Sequence, residues 1–260
     1  GDVYKRQAHN LPDRVRMGMQ RRLTPTMVRN AASEIEEHLG NMQRIAQISG
    51  DMNESIMLKS WSLAVCKEFR LVLVREFKRM VSELKDSDEM LIEAEDVLSW
   101  LNESFDAVKA VANQATLTGG ENSLVTPDKK IRIQMFKHLL ETNEVDIDED
   151  GDNEPSAHLL AHLIDVLARF GSGPALCLVF EGEGKDGRIV SHLLDAGLVA
   201  GPIFERTAGS ILMSGTLDPP HMFADLLGLE KSERGESIHP SPFAKERRPI
   251  VVASDVTTFC

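Results

Sequence analysis

The sequence predicts an α/β fold in which a long helical stretch is followed by a strand-bearing piece, and three observations predict it. From Thr24 to about Phe170 apolar residues recur almost throughout at spacings of three and four, the period of helices packed on one side. At Gly171-Ser172-Gly173-Pro174 that period gives way to strand-like runs. Further on, Ser210-Ile211-Leu212-Met213 is a short apolar run, the length of a strand buried on both faces, and it stops at three small residues, Ser214, Gly215 and Thr216. Ligands of α/β sheets collect at the carboxyl ends of strands, so the Ser214 and Thr216 hydroxyls are placed to meet a phosphate or a water. The alternative is that they only cap the helix that follows.

In chain order, GDVYKRQ at residues 1–7 fits nothing after it and reads as foreign to the protein, leaving Ala8 as the first residue of the pattern. Thr24-Pro25 starts a helix that runs through Ile35 and Leu39. A long helix from about Ile56 to Leu84 carries Trp61, Val65, Phe69, Val72, Phe77 and Met80 on one side. Leu91, Ala94, Leu98, Leu101, Phe105, Val108 and Ala112 alternate steps of three and four, a heptad seam that predicts a helix lying along a neighbour. Thr118-Gly119-Gly120 breaks that pattern. Thr126-Pro127-Asp128 restarts it, with Ile131, Met135, Leu139 and Leu140 as the inner face of the next helix. A further helix spans about Pro155 to Phe170.

Ala175 to Phe180 and Arg188 to Leu194 then read as two strands of a hairpin, joined by the polar, glycine-rich EGEGKDG. A loop and short helix lead to the strand at Ser210. After it Asp218 offers a helix N-cap, followed by Met222, Phe223, Leu226 and Leu227 at helical spacing, with Gly228 and KSER as the stop. Another strand is expected at Ile250 to Ala253, and neither end of the chain looks like the end of a domain.

Composition narrows the class. No apolar run approaches the roughly 20 residues that span a bilayer, and no signal-peptide pattern opens the chain, so no membrane partner is expected. Cys66, Cys177 and Cys260 lie far apart, outside any CxxC pair, and read as reduced cytosolic thiols with no metal site among them. The net charge of −12 is unevenly spread. Residues 1–85 hold 15 Lys and Arg against 10 Asp and Glu, whereas residues 86–155 hold 5 against 18. The locally basic N-terminal third therefore leaves an anionic partner open despite the acidic total.

Three motif-like stretches carry no chemistry. Gly184-Lys185 lacks the P-loop pattern, because Val179 stands where the first Gly is needed and Asp186 where a Ser or Thr is needed. Asp146, Asp148, Asp150, Gly151 and Asp152 open like a calcium loop, but Ala157 occupies the position of the bidentate Glu and Pro155 intrudes. His158 and His162 share a helix face at four-residue spacing without the intervening general-base Glu of a zinc protease.

Two segments at opposite ends carry a resemblance. AHNLPDRV, from Ala8, looks like the tail of a DEAH-box motif II. LLDAGLVAGPIFERTAGSILMSGTLDPP, ending at Pro220, is similar to the region closing in motif III of the XPD/DinG group of superfamily-two DNA helicases, in its archaeal XPD-like form. The match covers Ala8 to Cys260, since a helical insertion called the arch separates these motifs in that family. The resemblance implies α/β architecture that is part of a RecA-like P-loop helicase domain interrupted by a large all-α arch insertion. Residues 1–22 would end the motif II segment, 23–172 form the arch, 173–236 return to the first RecA-like domain with motif III, and 237–260 approach the second.

It further implies an ATP-dependent 5′ to 3′ helicase of DNA repair, acting on single-stranded DNA in an archaeal or bacterial cytoplasm with ATP, Mg2+ and an iron–sulfur cluster. His9, Ser214, Gly215 and Thr216 match its motif II and III positions. The motif II Asp and Glu would stand at positions 6 and 7, where this chain has Arg6 and Gln7, and the P-loop and cluster cysteines would lie upstream. The chain alone is therefore expected to be inactive. Arg14, Arg16 and Arg22, near motif II, could track phosphates of the strand or be an ordinary solvated face. The reading from another class is a non-catalytic helical interaction module whose acidic segment 141–154 docks on a basic partner.

Overall fold

A computed structural model describes residues 3–6, 8–49, 53–84, 87–114, 129–143, 154–183, 186–217 and 219–240. The chain forms two compact units, Asp13–Ala196 and a second made of Gly1–Pro12 with Gly197–Cys260. A first helix, α1 (Leu11–Met19), crosses the boundary between them.

In the unit Asp13–Ala196, strand β2 (Arg21–Leu23) leads into α2 (Pro25–Ser49). Thr24 begins that helix as expected, its Oγ1 accepting the Met27 N–H at 3.0 Å, with Pro25 at the first helical position. Next come α3 (Asn53–Glu83), β3 (Glu89–Ile92), α4 (Ala94–Gln114), α5 (Lys129–Glu141) and α6 (Ser156–Phe170). The helices α2, α4 and α5 pack on α3, and α6 packs on both α2 and α5. Trp61 of α3, Phe105 of α4 and Phe136 of α5 meet at the centre. The Trp61 and Phe105 rings stack at 5.6 Å, and Phe136 stands edge-on to both at 6.0 and 5.6 Å.

Polar groups finish the helix ends inside this core. The N-cap residue of α6 is Pro155, whose side chain accepts nothing. The carboxylate of Glu34 on α2 does so instead, taking the Ser156 N–H at 2.9 Å and the Ala157 N–H at 2.8 Å. A negative charge there also suits the positive end of the helix. Glu34→Ala should therefore lower stability by about 1 kcal/mol, the usual cost of a lost cap, while leaving α2 itself intact. Urea unfolding measures this, and an unchanged midpoint would reject the capping role. At the other pole, the buried Lys59 ammonium donates to the Leu139 carbonyl at 2.6 Å, where α5 ends.

The sheet of this unit is antiparallel with order β2-β5-β4-β3, where β4 is Leu176–Glu183 and β5 is Asp186–Leu193. The row Leu23, Ile189, Phe180, Met90 crosses all four strands on the core side. Phe180 meets Phe77 of α3 edge-on at 5.1 Å.

Several expectations are corrected here. The stretch 23–172 is not all-α, because Glu89–Ile92 is a strand paired with β4. Leu91 consequently does not open the α4 seam and is 73% exposed on the outer side of β3. On α5 the inner face is Ile133, Phe136, Leu139 and Leu140, while Ile131 points outward. The hairpin β4–β5 belongs with the helices, so the unit runs to Ala196 rather than ending at 172. The reason is packing: one face of the hairpin supplies Leu178, Phe180 and Ile189 to the helical core.

In the second unit, β1 (Val3–Arg6) pairs in parallel with β6 (Ser210–Met213). Residues 1–7 were expected to carry no element, yet Val3-Tyr4 has the β-branched and aromatic composition strands favour. The helices are α7 (Gly197–Glu205) and α8 (Pro220–Leu226). Gly228 ends α8 at φ 69°, with its N–H on the Asp225 carbonyl and the Leu229 N–H on that of Ala224, a Schellman closure. Only glycine fits, because a Cβ there would also press on the Gly197 backbone at 3.0 Å. The expectation that β6 is buried on both faces is corrected: Ile211 is 49% and Met213 46% exposed. Its strand partner among the described residues is β1 alone. Asp218 and the expected strand at 250–253 lie outside the described residues, and no described helix is long and apolar enough to cross a membrane.

Candidate functional site

The parallel register of Val3–Arg6 beside Ser210–Met213 brings the carboxyl ends of β1 and β6 level. The chain leaves β1 through the one-turn 3-10 helix Ala8–Asn10, which the fully buried Ala8 anchors, and His9 stands at its middle. It leaves β6 into Ser214. His9 Nδ1 and Ser214 Oγ are 2.7 Å apart. Ser214 Oγ also lies 3.2 Å from Thr216 Oγ1 and accepts the Thr216 N–H at 3.4 Å. Three of the four candidate residues thus form one hydrogen-bonded chain, imidazole to hydroxyl to hydroxyl. Gly215 sits within it with open space where a side chain would go, so a ligand can approach there.

This arrangement can bind a water and pass a change at His9 to Thr216. It is a poor nucleophilic dyad, since His9 engages Ser214 through Nδ1 and no carboxylate orients the ring among the described residues. Nor do the residues present fit magnesium-bound nucleotide, for the hydrogen-bonded set of His9, Ser214 and Thr216 holds no carboxylate. Among the described residues no group of three or more His, Cys, Asp or Glu could hold a metal ion. Cys66 is sealed in the helical core, where burial pushes its thiol far up, and Cys177 is a second single thiol on β4. An iron–sulfur cluster needs several thiolates together, which these do not provide.

The basic candidates belong to the other unit. Arg14 and Arg16 lie on α1 and Arg22 on β2. Arg16 is paired with Asp13, whereas Arg14 and Arg22 are exposed with no ion-pair partner among the described residues. The histidines at 158 and 162 diverge, His158 Nε2 to the Asn143 carbonyl at 3.2 Å and His162 Nδ1 to Glu154 at 3.2 Å. Asp146 to Asp152 lie outside the described residues.

A feature the sequence did not disclose adjoins the hydrogen-bonded set. A cleft of about 790 Å³ opens between α7, β6, α8 and the segment Glu233–His239, and Ser214 and Gly215 form part of its wall. Arg234 props its far side, donating to Asp225 at 2.7 Å and the Leu229 carbonyl at 2.9 Å, with Glu236 at 3.0 Å. Its hydrogen bond holds the Asp225 carboxyl below the usual carboxylate range. Arg234 comes from a stretch without helix or strand, so no periodicity could have announced it.

No protein-family model matches this chain, and no curated protein matches it.

Proposed function

We propose that the chain is an internal piece of an XPD-like, ATP-dependent 5′ to 3′ DNA helicase, in which His9, Ser214 and Thr216 relay the nucleotide state toward the DNA path. One observation carries the reading: the 2.7 Å contact between His9 and Ser214 at the level ends of two parallel strands. A helicase of this class must convert the loss of a phosphate into a changed grip on DNA. A chain of hydrogen bonds between the segment after one strand and the segment after its neighbour can carry that change. In this reading the P-loop, Mg2+ and the iron–sulfur cluster belong to the rest of the parent protein, in which an Asp and a Glu take the places of Arg6 and Gln7. Arg14 and Arg22 are the side chains free to track phosphates of a single strand.

The test uses the parent protein with its motif II acids. Thr216→Ala and Ser214→Ala should each slow unwinding about tenfold, the kinetic equivalent of one lost hydrogen bond, with ATP affinity unchanged. Unwinding at the wild-type rate in both variants would overturn the relay. The alternative of a non-catalytic interaction module draws support from the unit Asp13–Ala196, which holds a continuous core of its own. ATP hydrolysis stimulated by single-stranded DNA in the parent separates the two, because only the helicase reading requires it.

A further inference from the structure

The cleft beside β6 has a floor and a rim of different chemistry. Phe204, Leu212 and Phe223 supply apolar walls, while Glu205, Glu230 and Glu233 stand around it without an ion-pair partner among the described residues. The basic group in the wall, Arg234, already faces Asp225 and Glu236. Among the described residues the cleft is therefore left with negative charge in excess, which repels phosphates and nucleic acid and favours a cation. Along it runs β6, an apolar strand with β1 as its strand partner among the described residues. A strand with a free edge leaves backbone donors and acceptors that another strand can satisfy.

We infer that this cleft receives an extended, cationic segment of a partner protein, which adds to β6 as a further strand. Side chains of an extended segment alternate between two sides. Apolar residues at one parity meet Phe204, Leu212 and Phe223, and Lys or Arg at the other parity meet the three glutamates. The occupant has to be basic because the charge around the cleft, among the described residues, is uncompensated and acidic. It has to be extended because the ligand-facing element is a strand of four residues. Ser214 and Gly215 belong both to this cleft and to the hydrogen-bonded set, so an occupant would lie against the relay residues. The inference rests on the cleft itself and does not require the helicase reading.

The test titrates the full chain into a fluorescent synthetic hexapeptide alternating Lys or Arg with Val, followed by anisotropy. The expected result is saturable binding that weakens at least tenfold in three arms: a peptide with Glu for each cation, a peptide with Pro at a central position, and the chain carrying Glu230→Lys with Glu233→Lys. Both glutamates are exposed, so the double variant keeps its fold. Equal binding of the Pro peptide would overturn the proposal, since attraction without strand pairing is charge alone. Binding unchanged by the double variant would overturn it by placing the peptide elsewhere. Exclusion of the peptide until residues 241–260 are removed would also overturn it, assigning the cleft to the chain's own C-terminal segment.

Discussion

Replacing Phe105 by alanine should lower the unfolding free energy by about 3–5 kcal/mol, the range for emptying a buried aromatic site. Phe105 is 1% exposed and meets side chains of both α3 and α5 from its place on α4. Its ring stacks on Trp61 at an interplanar angle of 17°, takes the edge of Phe136 and lies 5.6 Å beneath the Arg132 guanidinium. The three rings come from three helices, so no single side chain can relax into the space without moving a helix. Arg132 would also lose the ring against which its buried charge rests, keeping Asp106 at 2.7 Å. Urea unfolding followed by tryptophan emission, from Trp61 and Trp100, gives the result directly, with a red shift as the cavity beside Trp61 admits water. Leu71→Ala, on the exposed side of α3, is the control and should change stability by less than about 0.5 kcal/mol. A Phe105→Ala loss below about 1 kcal/mol would mean that the aromatic centre does not hold the helices together.

Gly187→Ala is the second large effect, about 1–3 kcal/mol of destabilisation from overpacking. A Cβ at Gly187 would lie far inside van der Waals contact of Phe180 Cζ and Cε2. Phe180 cannot yield, being fully buried and braced edge-on against Phe77, itself in the core. The glycine is thus required by the approach of a ring, with its backbone in an ordinary conformation. The diagnostic is a double-mutant cycle, because Phe180→Leu vacates the space the new methyl needs. Gly187→Ala should cost markedly less in the Phe180→Leu background, and strict additivity would show that the ring is not what excludes the side chain.

What could be read beforehand follows from length and period. The helix Ser156–Phe170 and the Leu101, Phe105, Val108 stripe of α4 repeat over several turns, and both were legible. So was the β4–β5 hairpin, whose two eight-residue strands meet around a glycine-rich stretch of sequence. The short strands escaped. Arg21–Leu23 has three residues and two of them are charged, so no alternation can develop. Glu89–Ile92 stops two residues before α4, and Leu91 happens to lie three positions from Ala94, which lets a helical stripe absorb it. The Ser210–Met213 run was read correctly as a strand but not in its exposure, since burial depends on neighbours that a local pattern cannot reveal. For the site, Ser214 and Thr216 are marked by their place at the end of a short apolar strand and His9 by a resemblance, whereas the cleft beside them depends on Arg234 and an irregular segment.

The pairing of β2 with β5 bears on the order in which this unit assembles. Arg21 donates its backbone N–H to Ser191 Oγ at 3.0 Å across a separation of 170 residues. Closing so long a loop adds little to the equilibrium cost, which grows only with the logarithm of its length. The same separation weighs heavily on rate, because the chain must search for that contact while helix turns and the β4–β5 hairpin form from residues already close together. The strand order β2-β5-β4-β3 therefore implies a time order, with the hairpin and helices as the template and Arg21–Leu23 as the last piece to dock. Until it does, β5 presents an open edge, and that interval is when the chain is most exposed to pairing with another copy of itself.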